Sequence, residues 1–303
     1  MGGRLDATNI LYPAVSVITR ICFDHQEFLG ETLREIAAEK AGIIKTSVPV
    51  VCSAQEPEAL EMIEAKASEE GAELFVCGRD FTSCLVQSTM DGITFDYQGS
   101  QRVDTLRVPL CGVHQLENAS VAVKAMELIM EKASVTLQSV REGLARTTWR
   151  GRLELIKGER YRYDLLIDGA HNPAAAQALA EALRRYFVPS YGEIILILGI
   201  MADKDIEGIM RPLLPIASEV IFTAPGYERA AAPERLAEYA KSIGFTSTVT
   251  TSVKEALDRA AKTMERYPSS EARHLLVITG SFYTIGEAKV VLGHKGILTG
   301  LRE

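Results

Sequence analysis

The stretch from residue 16 to residue 45 constrains the fold most, because a strand, a polar turn and a helix follow one another there. Residues 16–23 are short, apolar and rich in β-branched side chains, which predicts a buried strand. Thr32 and Glu35 have the spacing of a capping box at a helix start. Gly42 suits the end of that helix. Apolar residues three to four positions apart predict its buried face: Leu33, Ile36, Ala37 and Ala41.

The same alternation continues along the chain and predicts an α/β fold with parallel sheets. In the first half, short apolar runs at 48–53 and 74–77 flank an amphipathic segment at 57–70. In the second half, predicted helices alternate with four predicted strands: 164–167, 194–199, 220–224 and 275–279. Between residues 82 and 108, three short segments predict an inserted antiparallel sheet. No G-x-G-x-x-G sequence occurs, so a dinucleotide cofactor is not indicated.

Composition limits the class of protein. The chain has 303 residues, which favours two domains, and we place the boundary between residues 148 and 149. The net charge of −7 argues against nucleic acid or an anionic membrane as partner. The five cysteines form no C-x-x-C pair, and no leader or long apolar run is present. We therefore expect a cytoplasmic protein with reduced thiols and no membrane span.

Three ionisable residues of the opening stretch are candidates for a site. Asp24 and His25 lie just past the predicted first strand, and ligands of α/β sheets bind beyond the carboxyl ends of strands. Lys40 lies in the last turn of the following helix. Structural roles compete: His25 suits a solvated loop, and a lysine complements the dipole at a helix end. Periodicity alone favours these structural roles.

The segment 168–173, with the sequence DGAHNP, joins a predicted strand to a predicted helix. Asn172 is a good N-cap residue, and Pro173 suits the first helical position. Asp168 and His171 therefore lie where a strand ends and a helix begins. A helix N-terminus is favourable for binding an anion.

Several motifs together resemble the folylpolyglutamate synthase/dihydrofolate synthase family of the Mur ligase superfamily. In chain order they are GGRLDATN at 2–9, DHQEFLG at 24–30, GVHQLENA at 112–119, WRGRLE at 149–154, DGAHNP at 168–173, GIMADKD at 199–205 and TGSFYTIGE at 279–287. The resemblance implies that residues 1–148 are the remainder of a P-loop-type ATPase domain. It implies that residues 149–303 are a Rossmann-like glutamate-ligase domain.

In the first domain, the resemblance implies that His25 is a ligand of Mg²⁺. It also implies that Lys40 is carbamylated and acts in catalysis, since a carbamate supplies the oxygen ligands that magnesium prefers. Asp6 and Ala7 would contact the pterin or pteroate part of a substrate, although a turn-forming aspartate is the simpler interpretation of Asp6. Asn118 would contact the adenine of ATP, with helix-start chemistry as the alternative.

In the second domain, the resemblance implies that Arg152 binds the nucleotide phosphates. An ion pair with Glu154 or another acid is the alternative role. Asp168 and His171 would bind ATP and take part in catalysis, and Ser281 would help to hold the incoming amino acid. Arg150 stands where most relatives have proline, which is a small departure from the motif.

The resemblance implies an ATP-dependent ligase that adds L-glutamate to the carboxylate of a folate or dihydropteroate through an acyl phosphate. It also implies that the protein is a monomer. The family's P-loop, G-x-x-x-x-G-K-[ST], does not occur in this sequence. The family's magnesium-binding glutamate before the GGRLDATN motif is absent too. We therefore expect an N-terminally truncated member that is inactive or very weak alone.

Two other interpretations stay open. The first is a Mur-type ligase acting on a cell-wall nucleotide, although GGRLDATN and DHQEFLG favour the folate branch. The second is a non-catalytic folate-binding remnant. Within the folate branch, the sequence does not decide between dihydropteroate and reduced folates as the substrate.

Overall fold

A computed structural model describes residues 2–158, 163–265 and 273–293, and its fold is α/β with parallel sheets, as predicted. The chain divides into two compact units, Met1–Thr148 and Trp149–Glu303. No helix of the described ranges is long and apolar enough to cross a membrane.

The first unit contains a three-stranded parallel sheet in the order β1-β2-β3, formed by Ser16–Ile18, Val50–Cys52 and Leu74–Val76. A 3₁₀ turn at Ala7–Ile10 precedes it, and its helices are α1 (Gln26–Leu29), α2 (Leu33–Ala41) and α3 (Pro57–Glu69). The predicted stripe of α2 is buried, and it joins Ile63 of α3 in one apolar core. The predicted capping box is present, since the Thr32 side chain accepts from the Glu35 N–H and Glu35 reaches back.

Strand β1 is shorter than the prediction of residues 16–23, because it ends at Ile18. Beyond Ile18, the Gln55 side chain forms hydrogen bonds with backbone groups of this segment, as a neighbouring strand would in a sheet. Its oxygen accepts from the Ile21 N–H at 2.8 Å, and its amide donates to the Thr19 carbonyl at 3.0 Å. Asp24 and His25 therefore follow a loop and not the strand itself.

The predicted antiparallel insertion is present as β4 (Thr82–Thr89), β5 (Gly92–Gln98) and β6 (Arg102–Val108). Helices α4 (His114–Ala133) and α5 (Leu137–Ala145) complete the unit, with Phe95 and Leu106 in the shared apolar core. Helix α5 was not predicted. Its sequence carries a signal for it: an N-cap at Thr136 and apolar residues spaced for one helical face.

The second unit is built on a six-stranded sheet in the order β11-β10-β9-β12-β8-β7. In chain order its strands are β7 (Glu154–Ile156), β8 (Tyr163–Ile167), β9 (Ile194–Leu198), β10 (Glu219–Phe222), β11 (Thr248–Val249) and β12 (His274–Thr279). The sheet is parallel, as predicted, except at one edge, where the unpredicted strand β7 is antiparallel to β8. The connection from β7 to β8 is too short for the crossover that a parallel pair needs.

The helices of the second unit are α6 (Pro173–Ala182), α7 (Ile206–Leu213), α8 (Pro233–Ser242), α9 (Val253–Met264) and α10 (Phe282–Val291). A π-helical turn, Leu183–Phe187, continues α6, and a 3₁₀ turn, Leu214–Ile216, follows α7. Every residue of β9 and β12 is buried, as expected for parallel strands covered on both faces. The carboxyl ends of β8, β12 and β9 therefore form one edge of the sheet.

Candidate functional site

The glycine-rich segment at the start of the chain lies against the last turn of α2. The N–H groups of Gly3 and Arg4 both donate to the Glu39 carbonyl, at 3.0 and 2.9 Å. A Cβ atom at Gly3 would come within 2.5 Å of the Lys40 carbonyl oxygen, so only glycine fits there. This packing fixes the segment beside the helix end that carries Lys40.

Asn9 and Lys45 fasten the same segment from its other end. The Asn9 side chain donates to the Gly42 carbonyl at 3.0 Å, and the Lys45 ammonium donates to the Asn9 carbonyl at 2.7 Å. Gly42 is the C-cap of α2, as predicted, although it has an ordinary right-handed φ of −60°. Close packing explains why glycine occupies this position, because a Cβ there would lie 2.5 Å from the Arg4 Cβ.

Asp6 forms the turn that its residue type suggested. Its Oδ1 accepts from the Thr8 N–H at 3.0 Å and the Thr8 hydroxyl at 2.6 Å, which caps the 3₁₀ turn. These two hydrogen bonds hold the pKa of Asp6 below its ordinary value. Ala7 follows and is exposed. The structure thus assigns Asp6 a local structural role, and contact of Asp6 and Ala7 with a substrate stays a prediction.

Asp24 and His25 form a close pair before α1. The His25 N–H donates to Asp24 Oδ1 at 2.9 Å, and the His25 Nε2 lies 3.8 Å from the same oxygen. His25 has a φ of 52°, which is uncommon for a residue with a side chain. Strained residues cluster at binding and catalytic sites. His25 is therefore a stronger site candidate than its sequence position alone made it.

The thiol of Cys22 connects this pair with Lys40. Burial raises the pKa of Cys22, the Asp24 carboxylate raises it further, and the Lys40 ammonium and Arg20 lower it. Asp24 and Lys40 therefore lie near enough to the same sulfur to act on it electrostatically. The loop after β1 and the end of α2 thus both carry a charge that acts on this thiol, and joint binding of a ligand by His25 and Lys40 stays a prediction.

The residues predicted to hold Mg²⁺ fit that ion only if Lys40 is modified. No group of three His, Cys, Asp or Glu side chains in the described ranges is arranged to hold a metal. Asp24 supplies one carboxylate and His25 one imidazole, whereas an unmodified lysine is a cation. A carbamate on Lys40 would add anionic oxygens, and Mg²⁺ takes its remaining ligands from water and phosphate.

Asn118 lies in the second turn of α4, where it is exposed. Its amide donates to Gln115 Oε1 at 3.1 Å. The neighbouring Glu117 accepts from the Ala54 N–H at 2.8 Å, just beyond the end of β2. The start of α4 is thereby held at the carboxyl edge of the first sheet, the edge from which the loop with Asp24 and His25 also leaves.

In the second unit, Arg152, His171 and Phe282 form a cluster. The Arg152 guanidinium lies over the Phe282 ring, with 4.7 Å from Cζ to the ring centre. The His171 ring centre is 5.4 Å from that of Phe282. His171 Nδ1 lies 2.8 Å from the Gly169 carbonyl oxygen, and since a carbonyl can only accept, Nδ1 carries the proton in this contact. Phe282 was not among the predicted site residues, although it lies inside the TGSFYTIGE motif.

Asp168 organises the loop that carries Arg152. Its Oδ2 accepts from the Leu153 N–H at 2.8 Å, and its Oδ1 accepts from the Ala170 N–H at 2.9 Å. Gly169 leaves the space that the cluster needs, because a Cβ there would lie 2.6 Å from Phe282 Cε1 and 3.0 Å from Arg152 Nη1. Asp168, His171 and Arg152 are thus brought together, as the motifs suggested.

Ser281 has a structural partner that the sequence analysis did not assign. It is the N-cap of α10, where its side chain accepts from the Thr284 N–H at 3.1 Å and also bonds the Thr284 hydroxyl. The residue is buried, with 2% of its surface exposed. Its most direct effect is therefore on the start of α10, and its contact with an amino acid stays a prediction.

Comparison with known proteins identifies both units. A family model described as the Mur ligase middle domain matches residues 2–126, and the Mur ligase glutamate ligase domain matches residues 151–282. The dihydrofolate synthase/folylpolyglutamate synthase of Bacillus subtilis is 32% identical over 95% of this chain and 65% of its own length.

Two solved structures are also similar. The folylpolyglutamate synthase of Mycobacterium tuberculosis, complexed with ADP, superposes with a TM-score of 0.86 at 31% identity, over 97% of this chain and 67% of its own. Escherichia coli FolC in complex with DHPP and ADP gives a TM-score of 0.81 at 27% identity, over 100% of this chain and 66% of its own.

These two domains, in this order along the chain, are domains of the Mur ligase superfamily. The chain belongs to the folylpolyglutamate synthase/dihydrofolate synthase family. It spans slightly less than two thirds of the length of the Bacillus subtilis relative that it matches.

Proposed function

We propose that the chain functions as an ATP-dependent ligase that adds L-glutamate to the carboxylate of a folate or dihydropteroate. Its family membership and the match of its second unit to a glutamate ligase domain support this proposal. The names of the relatives favour the folate branch over a cell-wall ligase. The observation that carries the proposal is the cluster of Arg152, Asp168 and His171 at the start of α6.

The cluster has the chemistry needed to hold phosphate. Arg152 is always charged and can bind two phosphate oxygens at once. Asn172 caps α6 through the Ala175 N–H at 2.9 Å, so the helix begins directly after His171. The positive end of the α6 dipole adds to the attraction for an anion. We assign nucleotide binding in this unit to Arg152, Asp168 and His171.

The proposed reaction has two steps. A carboxylate oxygen of the folate or dihydropteroate bonds to the γ-phosphorus of ATP, and the bond to the β-phosphate oxygen breaks, which releases ADP. The neutral amine of glutamate then bonds to the acyl carbon, phosphate leaves, and the amine loses a proton. The first step brings two anions together, so cationic groups such as Arg152 are needed to offset their repulsion.

The first unit would supply further contacts. We assign Asn118 to the adenine, since its amide offers a donor and an acceptor. We assign Asp6 and Ala7 to the pterin side of the substrate, on the segment that packs against α2. Ser281 is assigned to the glutamate through the N-terminus of α10, where a carboxylate is favoured.

We propose that His25 and a carbamylated Lys40 hold Mg²⁺. When bound, the metal would neutralise charge on the phosphates and so lower the barrier to the first step. The uncommon φ of His25, beside the Asp24 carboxylate, supports this assignment. Lys40→Ala and His25→Ala should each abolish the Mg²⁺ dependence of nucleotide binding, whereas Lys66→Ala, on a neighbouring helix, should leave it intact.

We also propose that the chain acts as a monomer in the cytoplasm. None of its five cysteines, all of which lie in the described ranges, forms a disulfide, which is usual in a reducing compartment. Sedimentation of the purified chain tests the oligomeric state.

A substrate panel tests the proposed activity. ADP release is measured with Mg-ATP and L-glutamate, adding dihydropteroate, tetrahydrofolate or a cell-wall nucleotide in turn. We expect any ADP release to require both glutamate and a folate-type substrate, and we expect that substrate to bind at equilibrium even where turnover is slow. Turnover with the cell-wall nucleotide, or binding of neither folate-type substrate, would contradict the proposal.

A further inference from the structure

We propose that the ion pair between the buried Lys289 and the partly buried Glu154 positions Arg152 for nucleotide binding. Lys289 lies outside all the motifs identified in the sequence, and its ion-pair partner Glu154 is not assigned to the reaction. The inference rests on the proposed function, because it takes Arg152 to be the phosphate-binding residue.

The pair ties α10 to the loop around Arg152. The Lys289 ammonium donates to Glu154 Oε2, and the lysine has only 4% of its surface exposed. The same oxygen accepts from the Gly151 N–H at 2.6 Å. A single carboxylate oxygen therefore joins a buried cation on α10 to the backbone next to Arg152.

The loop around Arg152 needs such restraints, because its backbone is unusual on both sides. Gly151 has a φ of 75° and Leu153 has a φ of 42°. A left-handed conformation is unfavourable for leucine and persists only where the surroundings hold it. Asp168 holds Leu153 through its N–H at 2.8 Å, and the Gly151 carbonyl accepts from the Gly169 N–H at 2.9 Å.

Helix α10 also supports the guanidinium itself. Phe282, beneath Arg152, and Lys289 are two helical turns apart, so both project from the same side of α10. The same face of α10 thus contacts the Arg152 guanidinium through the Phe282 ring. Through the Lys289–Glu154 pair it also restrains the backbone next to Arg152. A shift of α10 or loss of the pair would move the guanidinium relative to the start of α6.

Stability alone does not account for the pair. Buried ion pairs can often be replaced by apolar residues of similar size without loss of stability, because burial of the two charges offsets their attraction. A positioning role explains why the charges are retained here. It also makes a prediction that a purely structural role does not make, namely that Lys289 and Arg152 act on ADP affinity as one unit.

The test replaces both charges together, as Lys289→Met/Glu154→Leu, so that the net charge is unchanged. ADP affinity of the full 303-residue chain is measured by isothermal titration calorimetry, alone and combined with Arg152→Ala. The matched control is Lys124→Met/Glu127→Leu, which removes a buried lysine–glutamate pair, 3.2 Å apart, in the first unit. Thermal unfolding of each variant monitors stability.

We expect the Lys289/Glu154 variant to bind ADP about tenfold more weakly, in line with loss of one charge-assisted hydrogen bond. Adding Arg152→Ala should weaken binding no further than Arg152→Ala does alone, and the Lys124/Glu127 control should bind as the wild type does. Unchanged affinity in the Lys289/Glu154 variant, or losses that add, would overturn the positioning role.

Hydrogen exchange of the Gly151 amide separates this inference from the proposed function. We expect exchange to be slow in the wild type and faster in the Lys289/Glu154 variant, whether or not nucleotide is present. If the Gly151 amide exchanges at the same rate in the wild type and in the Lys289/Glu154 variant, the inference is overturned. A different outcome is that the wild type binds no ADP although exchange of its Gly151 amide depends on the ion pair. In that case the assignment of Arg152 to the nucleotide fails, and the pair only restrains the shape of the loop.

Discussion

At the residue scale, the site depends on close approaches between residues far apart in the sequence. Gly3 admits the Lys40 carbonyl, and Gly169 admits both Phe282 and Arg152. The residues beside each glycine in the sequence do not indicate that a side chain at that position would collide with a distant residue. The motifs indicated which positions matter, but the physical reason for each glycine appears only when the distant partner is in place.

Gly169→Ala tests this explanation. The added methyl group would meet Phe282 Cε1 at 2.6 Å and Arg152 Nη1 at 3.0 Å, so both side chains must move. We expect weaker ADP binding and a loss of about 1–3 kcal/mol of unfolding free energy, as for other overpacked sites. Calorimetric titration and urea denaturation measure the two effects.

Gly143→Ala is the matched control. Gly143 lies within α5, and nothing lies within 4 Å of the position that its Cβ would occupy. The same substitution there should raise stability by about 0.5–1 kcal/mol, because alanine favours the helix over glycine. Equal effects of the two alanines would refute the steric explanation.

At the element scale, the starts of α2 and α6 were predictable from sequence and the end of β1 was not. The capping box of α2 and the N-cap of α6 are local, since each joins residues three positions apart. The end of β1 depends on Gln55, which lies more than 30 positions along the chain. Local hydrogen bonds leave a pattern in the sequence, whereas a side chain that replaces a neighbouring strand leaves none.

Thr32→Ala tests the capping box. It removes the acceptor for the Glu35 N–H, so we expect a loss of about 1 kcal/mol of unfolding free energy. Thr32→Ser keeps the hydroxyl and should retain most of the stability. Ser68→Ala, at an exposed position inside α3, should change it little. If Thr32→Ala and Ser68→Ala are equivalent, the cap contributes nothing.

Asp164 gives the second unit a pH-dependent stability. It is fully buried at the start of β8; burial raises its pKa, but hydrogen bonds from Tyr191, the Gly158 N–H and Arg273 outweigh this and hold the pKa below its ordinary value. A lowered pKa in the folded state contributes stability above the unfolded pKa, and this contribution is lost as the pH falls through the folded value.

Asp164→Asn should therefore destabilise the chain at neutral pH by about 2 kcal/mol, since it removes charged hydrogen bonds. The difference from the wild type should shrink as the pH falls below about 4, the ordinary carboxyl pKa, and through the lower pKa of the folded state. Urea denaturation across this range measures both. Asp91→Asn, in an exposed turn, is the control. A difference that stays constant down to low pH would contradict the assignment.

At the scale of the whole molecule, the alternation of strands and helices was enough to predict two α/β units, and the motifs were enough to predict the family. Pattern alone missed the antiparallel strand β7 and the two-residue strand β11, since the first depends on a short connection and the second is too brief for periodicity. The pair of Lys289 and Glu154 was equally invisible, because its members lie 135 positions apart.

The central claim is that Arg152 binds the nucleotide as part of a glutamate ligase. The measurement that tests it most directly is ADP titration into the wild type, Arg152→Ala and Arg150→Ala. The two variants lose the same charge two positions apart, and Arg150 is exposed. We predict that ADP binds the wild type and Arg150→Ala alike, and binds Arg152→Ala at least about tenfold more weakly. Equal affinities in all three proteins, or equal losses in both variants, would contradict the account.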